Sequence, residues 1–310
     1  MKHPNVIIAS DISRALNMGA PIVALESTVI THGLPRPQNL ELARAMEKSV
    51  RDSGATPATV ALLDGKIRIG LADEELVRLA DAESDSTLKV SHRDFATAII
   101  KKTNGGTTVA GTMFAAQMAG IKVFATGGIG GVHKESAFDI STDLHALAEI
   151  PMIIVCAGAK SILDLSATLE YLETVGVPVV GFQTHEFPAF YSRKSGLNVS
   201  VRLNSPKEIA DFAEAHWGLG MHSAILVTNP VPEAEAISNS DMDPIISKAS
   251  AEAIEKGIHG QKLTPFLLNR INELTKGKSL RANLALLLNN ARLAAKIAEA
   301  IGGKKKSWAI

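Results

Sequence analysis

Glu26 closes an apolar run in LESTVITHGLPRP, and Lys160 follows a second run, MIIVCAG, within the small-residue turn Ala157-Gly158-Ala159. Desolvation disfavours the charged form of a carboxyl at an apolar strand end, which suits Glu26 to donating a proton near neutral pH. Burial, together with a helix expected to begin at Lys160, disfavours an ammonium, and an amine held neutral is a nucleophile able to form a Schiff base. Each residue also has a plainer use. Glu26 could cap a helix or pair with Arg36, and Lys160 could carry its amine out to solvent along its aliphatic stem.

Further along, KVSHRD runs towards KKTNGGTTVAGTM, a basic stretch before a Gly-Gly-Thr-Thr turn and a small-residue helix. Glycine backbone and a helix N-terminus together favour an anion, with Lys89 or Arg93 adding charge. An ordinary N-cap at Thr107 or Thr108 explains the same residues, and P-loop spacing is absent. FATGGIGGVHKESAFDISTDL crowds Gly127, Gly128, Gly130 and Gly131 beside His133, Asp139 and Asp143. The glycines allow backbone to approach a ligand, His133 can donate to a phosphate, and the two aspartates could hold a hard divalent cation. DISTDL also reads as a helix start, and GGIGG lacks the dinucleotide-binding spacing. In SLRANLALLLNNARLAA, Asn283 and Asn290 share a helical face, where buried amides must find partners in a ligand or in the sheet. His185 and Glu186 have no second ligand pair, so no zinc site is expected.

These residues need a scaffold that brings strand ends together. The runs PIVALEST (21–28), ATVALLDG (58–65), IKVFATGG (121–128), MIIVCAG (152–158), VPVVGFQT (177–184) and SAILVTNP (223–230) are apolar nearly throughout, as strands covered on both faces are. Helically spaced segments separate them, including NLELARAMEKSVRDSG, SILDLSATLEYLETVG and SPKEIADFAEAHWG. LLDGKIRIGL, with Asp64-Gly65 at its tip, predicts one antiparallel hairpin. The expected fold is α/β, a three-layer α/β/α sandwich with a mostly parallel, mixed central sheet. A long helix should open at Ser279 and stop at Gly302-Gly303. In open α/β sheets ligands bind at the carboxyl ends of strands, where Glu26, Thr126, Lys160 and Asn229 lie.

Composition narrows the function. Lys+Arg and Asp+Glu both number 32, a formal net charge of +0, which removes the argument for a nucleic-acid or anionic-membrane partner. With 46% hydrophobic residues the 310-residue chain can bury a sizeable core, and no linker divides it, so one domain over 1–310 is expected. Cys156 is the one cysteine, no apolar run approaches the ~20 residues of a membrane span, and the start lacks a signal-peptide core. A cytoplasmic enzyme is the expectation.

Taken in order, ALESTVITHGLPRPQN, KVSHRD, NGGTTVAGTM, FATGGIGGVH, FDISTDL, CAGAKSILD, GFQTHEFPAFYS and SLRANLALLLNNARLAAKIA resemble the pseudouridine-5′-phosphate glycosidase family, also called indigoidine synthase A-like proteins. The resemblance spans nearly the whole chain. It implies reversible conversion of pseudouridine 5′-phosphate and water to uracil and ribose 5-phosphate, with a manganese ion bound and a homotrimeric assembly. By position it implies Glu26 as proton donor and Lys160 as nucleophile. It implies substrate contacts at Lys89, Val109, Ser141, Thr142 and Asp143, metal binding at Asp139, and further pocket residues at Thr126, His133 and Asn283. His92 departs from it, since relatives often carry Arg there. The implied chemistry suits an amine: a C–C glycosidic bond offers no basic leaving-group atom, so a pair of carboxylates is not enough. A ribokinase-like sugar or nucleoside kinase and a Schiff-base aldolase are the enzymatic alternatives, and a sugar-phosphate binding protein the non-catalytic one.

Overall fold

The six apolar runs become neighbouring strands of one sheet. In the computed structural model, the structure describes residues 3–83, 86–134, 136–258, 260 and 263–302. Its strands are β1 (Val6–Ile8), β2 (Ile22–Leu25), β3 (Thr56–Leu63), β4 (Lys66–Ile69), β5 (Leu88–Val90), β6 (Gly105–Thr107), β7 (Val123–Ala125), β8 (Val132–His133), β9 (Ser136–Ile140), β10 (Ile153–Cys156), β11 (Val179–Phe182), β12 (Val201–Leu203) and β13 (Ile225–Thr228). The helices are α1 (Ser10–Met18), α2 (Gln38–Asp52), α3 (Asp73–Asp81), α4 (Phe95–Lys101), α5 (Val109–Met118), α6 (Thr142–Glu149), α7 (Leu165–Thr174), α8 (Pro206–Gly218), α9 (Asn239–Glu255), α10 (Leu263–Leu274) and α11 (Lys278–Gly302).

The main sheet runs β1-β4-β3-β2-β7-β10-β13-β11-β12, with β6 paired to β3 and β5 to β6. From β3 to β12 every neighbour along this path is parallel. The pairs β3–β4 and β3–β6 are antiparallel, so the sheet is mixed as expected. Asp64 (φ 51°) and Gly65 (φ 70°) make the β3–β4 turn, a conformation that matches the twist of a tight hairpin. Layers of helices cover the sheet, with α2, α8 and α11 packed together and α5 packed on α6. This three-layer cover is why β2, β10 and β13 are buried along their full length. Each fully buried Ile or Val there contributes about 1.5–3 kcal/mol. One apolar cluster runs from Ile12 to Ala298, with a smaller one under α3.

Two local expectations change. The Gly-Gly-Thr-Thr segment is not a turn: Gly105–Thr107 is strand β6, because its amides are drawn into pairing with both β3 and β5. Lys160 does not begin a helix, since α7 starts only at Leu165, capped by Asp164. Four residues, Ser161 to Asp164, separate the lysine from that helix, so Lys160 is not in its first turn. The long last helix spans Lys278–Gly302, within one residue of its expected start, and Gly303 lies outside the described residues.

Candidate active site

Strand register brings the two key residues together. Leu25 on β2 pairs with Ala125 on β7, and Ala125 with Val155 on β10, so the next residues, Glu26 and Thr126, leave the sheet side by side. The Thr126 hydroxyl donates a short hydrogen bond to Glu26 Oε1. Asn290 on α11 donates to the Thr126 carbonyl at 2.9 Å and accepts from Asn229 at 3.1 Å, tying the helix to the ends of β7 and β13. Beyond β10, the backbone N–H of Lys160 donates to the Ile129 carbonyl at 3.1 Å, which stitches the loop after β10 to the loop after β7. Ser27 is consumed structurally: its hydroxyl donates to Val60 O and accepts from Thr107 N. Arg36 binds the carbonyls of Ala80 and Asp81, so it is not the partner of Glu26.

Glu26, Thr28, Lys89, Lys160 and Thr264 line two adjoining cavities. The inner one, about 60 Å³, is completed by Phe190, Asn283, Leu268 and Leu287. The outer one adds Arg93, Val109, His133, Asp139, Ser141, Thr142 and Asp143. Ten of the eleven residues named from sequence therefore stand on these walls. Thr126, fully buried, stands behind Glu26 instead and acts on it through its hydroxyl.

Burial pushes the Glu26 carboxyl above the ordinary glutamate range, against the opposing pull of Lys160, the Thr126 hydrogen bond and Lys89. Burial also pushes the Lys89 amine down, and the nearby Lys160 pushes it further. The cavity thus holds an acid inclined to keep its proton beside amines placed close to one another.

A family model described as Indigoidine synthase A like protein matches residues 11–300. The chain belongs to this family. It is 53% identical to the pseudouridine-5′-phosphate glycosidase of Caldanaerobacter subterraneus subsp. tengcongensis over 94% of this chain and 95% of that one. It is 50% identical to the enzyme of the same name from Petrotoga mobilis, over 96% and 97%. Among solved structures, an indigoidine synthase A (IdgA)-like protein of Thermotoga maritima superposes with a TM-score of 0.88 at 38% identity, covering 97% of this chain and 99% of that one. The prealnumycin C-glycosynthase AlnA, solved with ribulose 5-phosphate, superposes with a TM-score of 0.89 at 38% identity, covering 97% and 98%.

Within this family member the glycines of the site serve packing between elements more than approach to a ligand. A Cβ on Gly130 would strike Ser141 and come within 2.9 Å of Asp143 Oδ2, and one on Gly128 would lie 2.6 Å from the Phe190 ring. Gly106 is closed off in the same way by Thr31 and Ser27. Asp143 is also committed: its two oxygens accept from Ala110 N at 2.9 Å and Gly130 N at 2.8 Å, clamping the N-terminus of α5 to the loop after β7. That leaves Asp139, exposed on β9, as the carboxylate open to a cation, and no cluster of three metal-ligating side chains occurs among the described residues. Thr108 caps α5, as one sequence reading had it, and Ser141 caps α6. The Val109 N–H, first in α5, has no partner among the described residues, which gives an apolar residue a polar group to offer. His92 packs edge-on against Phe114 at 5.3 Å, and burial pushes its pKa down, so Arg93 is the cation on that wall. Sequence reasoning placed Thr28 at a strand end beside Glu26 without giving it a role, and it missed Thr264, Leu268 and Phe190. Apolar and hydroxyl residues on cavity walls look like core until the elements are placed. Phe190 alone carries a local mark, a φ of 61°, and that is not legible from its residue type.

Proposed function

We propose that this chain reversibly cleaves the carbon–carbon glycosidic bond of pseudouridine 5′-phosphate to uracil and ribose 5-phosphate. The observation that carries the reading is the meeting of Glu26, its carboxyl pushed towards the protonated form, with Lys160 on the walls of one cavity. The names of the most similar relatives support it over a kinase or an aldolase.

In this reading the phosphate lies in the outer cavity, where Lys89, Arg93, His133 and the free Val109 N–H at the α5 N-terminus favour an anion. Glu26 gives its proton to the ribose ring oxygen as the Lys160 amine attacks C1′, so the C1′–O4′ bond breaks and a C1′–N bond forms. The nitrogen releases a proton to the Glu26 carboxylate. Its lone pair then forms C1′=N as the C1′–C5 bond to uracil breaks, and C5 takes up a proton. Water hydrolyses the imine and frees ribose 5-phosphate and the lysine. Thr126 fixes the Glu26 carboxyl through all of these steps. Borohydride should link ribose 5-phosphate to the wild-type protein and not to Lys160→Ala, as read by intact mass. Linkage that survives Lys160→Ala and disappears in Lys89→Ala would assign the nucleophile to the wrong lysine.

A manganese ion belongs to the same proposal, with Asp139 as its protein ligand. One exposed carboxylate on the outer cavity suits a hard cation that keeps most of its water. When bound, such an ion would order water and polarise oxygen atoms near the sugar. Asp139→Asn should abolish Mn²⁺ retention in equilibrium dialysis, and unchanged retention would remove Asp139 from the site. Cytoplasmic location and homotrimeric assembly complete the reading, and cell fractionation and sedimentation equilibrium test them. No helix among the described residues is long and apolar enough to cross a membrane.

A further inference from the structure

The inner cavity adjoins an annex that no step above uses. His32, Gly33, Pro265, Leu268 and Asn283 line both. The annex offers about 240 Å³, against about 60 Å³ in the inner cavity. Its wall has no Lys, Arg, Asp or Glu, unlike the outer cavity with Lys89, Arg93, Asp139 and Asp143. It offers instead three amides, Asn269 and Asn272 on α10 and Asn283 on α11, together with Tyr191. Tyr191 is 2% exposed, its hydroxyl is held by Ser279, and its ring meets that of Phe190 edge-on at 4.8 Å. Phe190 is in turn a wall of the inner cavity. Asn272 Oδ1 is buried with no hydrogen-bond partner. Buried acceptors in folded proteins are nearly always satisfied, so an unmet one beside a cavity is met by water or by a donor that a ligand brings.

A ligand that matches this wall is neutral, flat and carries both N–H donors and carbonyl acceptors, since each amide offers an acceptor and two donors. A phosphate or a sugar phosphate does not match it, because burying its charge without a cation is costly. We infer that the annex is a docking pocket for the free pyrimidine base, holding uracil before it enters the reaction cavity and after it leaves. The identity of the base rests on the glycosidase reading. Base and sugar phosphate then use separate sides of Glu26 and Lys160.

Equilibrium dialysis of uracil against the full chain tests this without turnover. Asn272→Leu removes the unmet acceptor, and Leu280→Trp fills the annex from a different helix, at a half-buried annex position. Asn272→Leu should bind uracil about two- to tenfold more weakly, the effect of losing one neutral hydrogen bond, and Leu280→Trp, which removes the space itself, at least as much. Both should still melt cooperatively and link ribose 5-phosphate under borohydride as the wild type does. In the synthetic direction KM for uracil should rise while KM for ribose 5-phosphate stays put. Unchanged uracil affinity in both variants, or no uracil bound by the wild type, overturns the proposal. Crystals of the unaltered protein soaked in uracil give the answer even where both variants misfold. Density beside Asn272 and Asn283 supports the annex, and density confined to the space beside Glu26 and Lys160 overturns it. Failure of the glycosidase reading registers elsewhere, as a wild-type protein that releases no uracil from pseudouridine 5′-phosphate.

Discussion

At the residue scale, Glu26 shows how placement turns a common side chain into an acid. It follows an apolar strand, its strongest perturbation is burial, and Thr126, Lys160 and Lys89 only partly offset it. The folded protein therefore holds this proton to higher pH than the unfolded chain does. Between the two pKa values the folded state binds more protons, so stability contributed below the ordinary glutamate pKa is lost as pH rises through the raised one. Glutamine removes the ionisation and with it this loss. Melting curves of Glu26→Gln and wild type should coincide near about pH 4 and separate as pH climbs, with the variant the more stable at neutral pH. Activity of the same variant should fall roughly 10²–10⁴-fold, the worth of a positioned general acid. A difference in Tm that does not change with pH would show that burial does not set the state of Glu26.

At the element scale, the site depends on loops held by close approach. The loop after β7 is fastened to the loop after β10 by Lys160 N to Ile129 O, and to α5 and α6 by Asp143. Gly130 is where this fastening is tightest, because Ser141 and Asp143 occupy the space a side chain would need. Gly130→Ala must push the first turn of α6 away, breaking the Asp143 clamp along with relieving the clash. Urea unfolding should show a loss of about 3 kcal/mol, at the upper end of overpacking effects. Gly218→Ala is the control, since its Cβ would meet no atom within 4 Å and its backbone, like that of Gly130, is not in the positive-φ region. Comparable losses at both positions would mean that packing at Gly130 is not what holds the loops.

At the scale of the whole molecule, charge balance and core continuity set the expectations. A net charge of +0 supplies no long-range field for an anionic substrate, so capture of phosphate falls to the local groups of the outer cavity. The apolar cluster from Ile12 to Ala298 crosses the sheet without a break, and α11 packs on α2, α8, β2, β7 and β10. We expect the chain to unfold as one cooperative unit. With Trp308→Phe removing the other indole, the fluorescence of Trp217 on α8 should follow the same urea transition as far-ultraviolet circular dichroism. Transitions with separate midpoints would divide the chain into more than one domain.

The six central strands, the Asp64-Gly65 hairpin and the last helix were all legible from residue type, because a strand covered on both faces must be apolar along its length and a tight turn needs residues that tolerate positive φ. Strand ends followed from the same pattern, and with them the neighbourhood of Glu26 and Lys160. The short strands β5 and β6 were not legible, since three residues carry no period and their pairing depends on distant chain. The use of each glycine, the commitment of Asp143 to two backbone amides and the retreat of Thr126 behind Glu26 were likewise decided by tertiary structure. Residue type sets which chemistry a side chain can perform; which of its lone pairs and protons remain free depends on neighbours that only folding brings within hydrogen-bonding distance. The annex belongs to that second kind, with Asn269, Asn272 and Asn283 assembled from two helices over a cavity whose existence no local pattern announces.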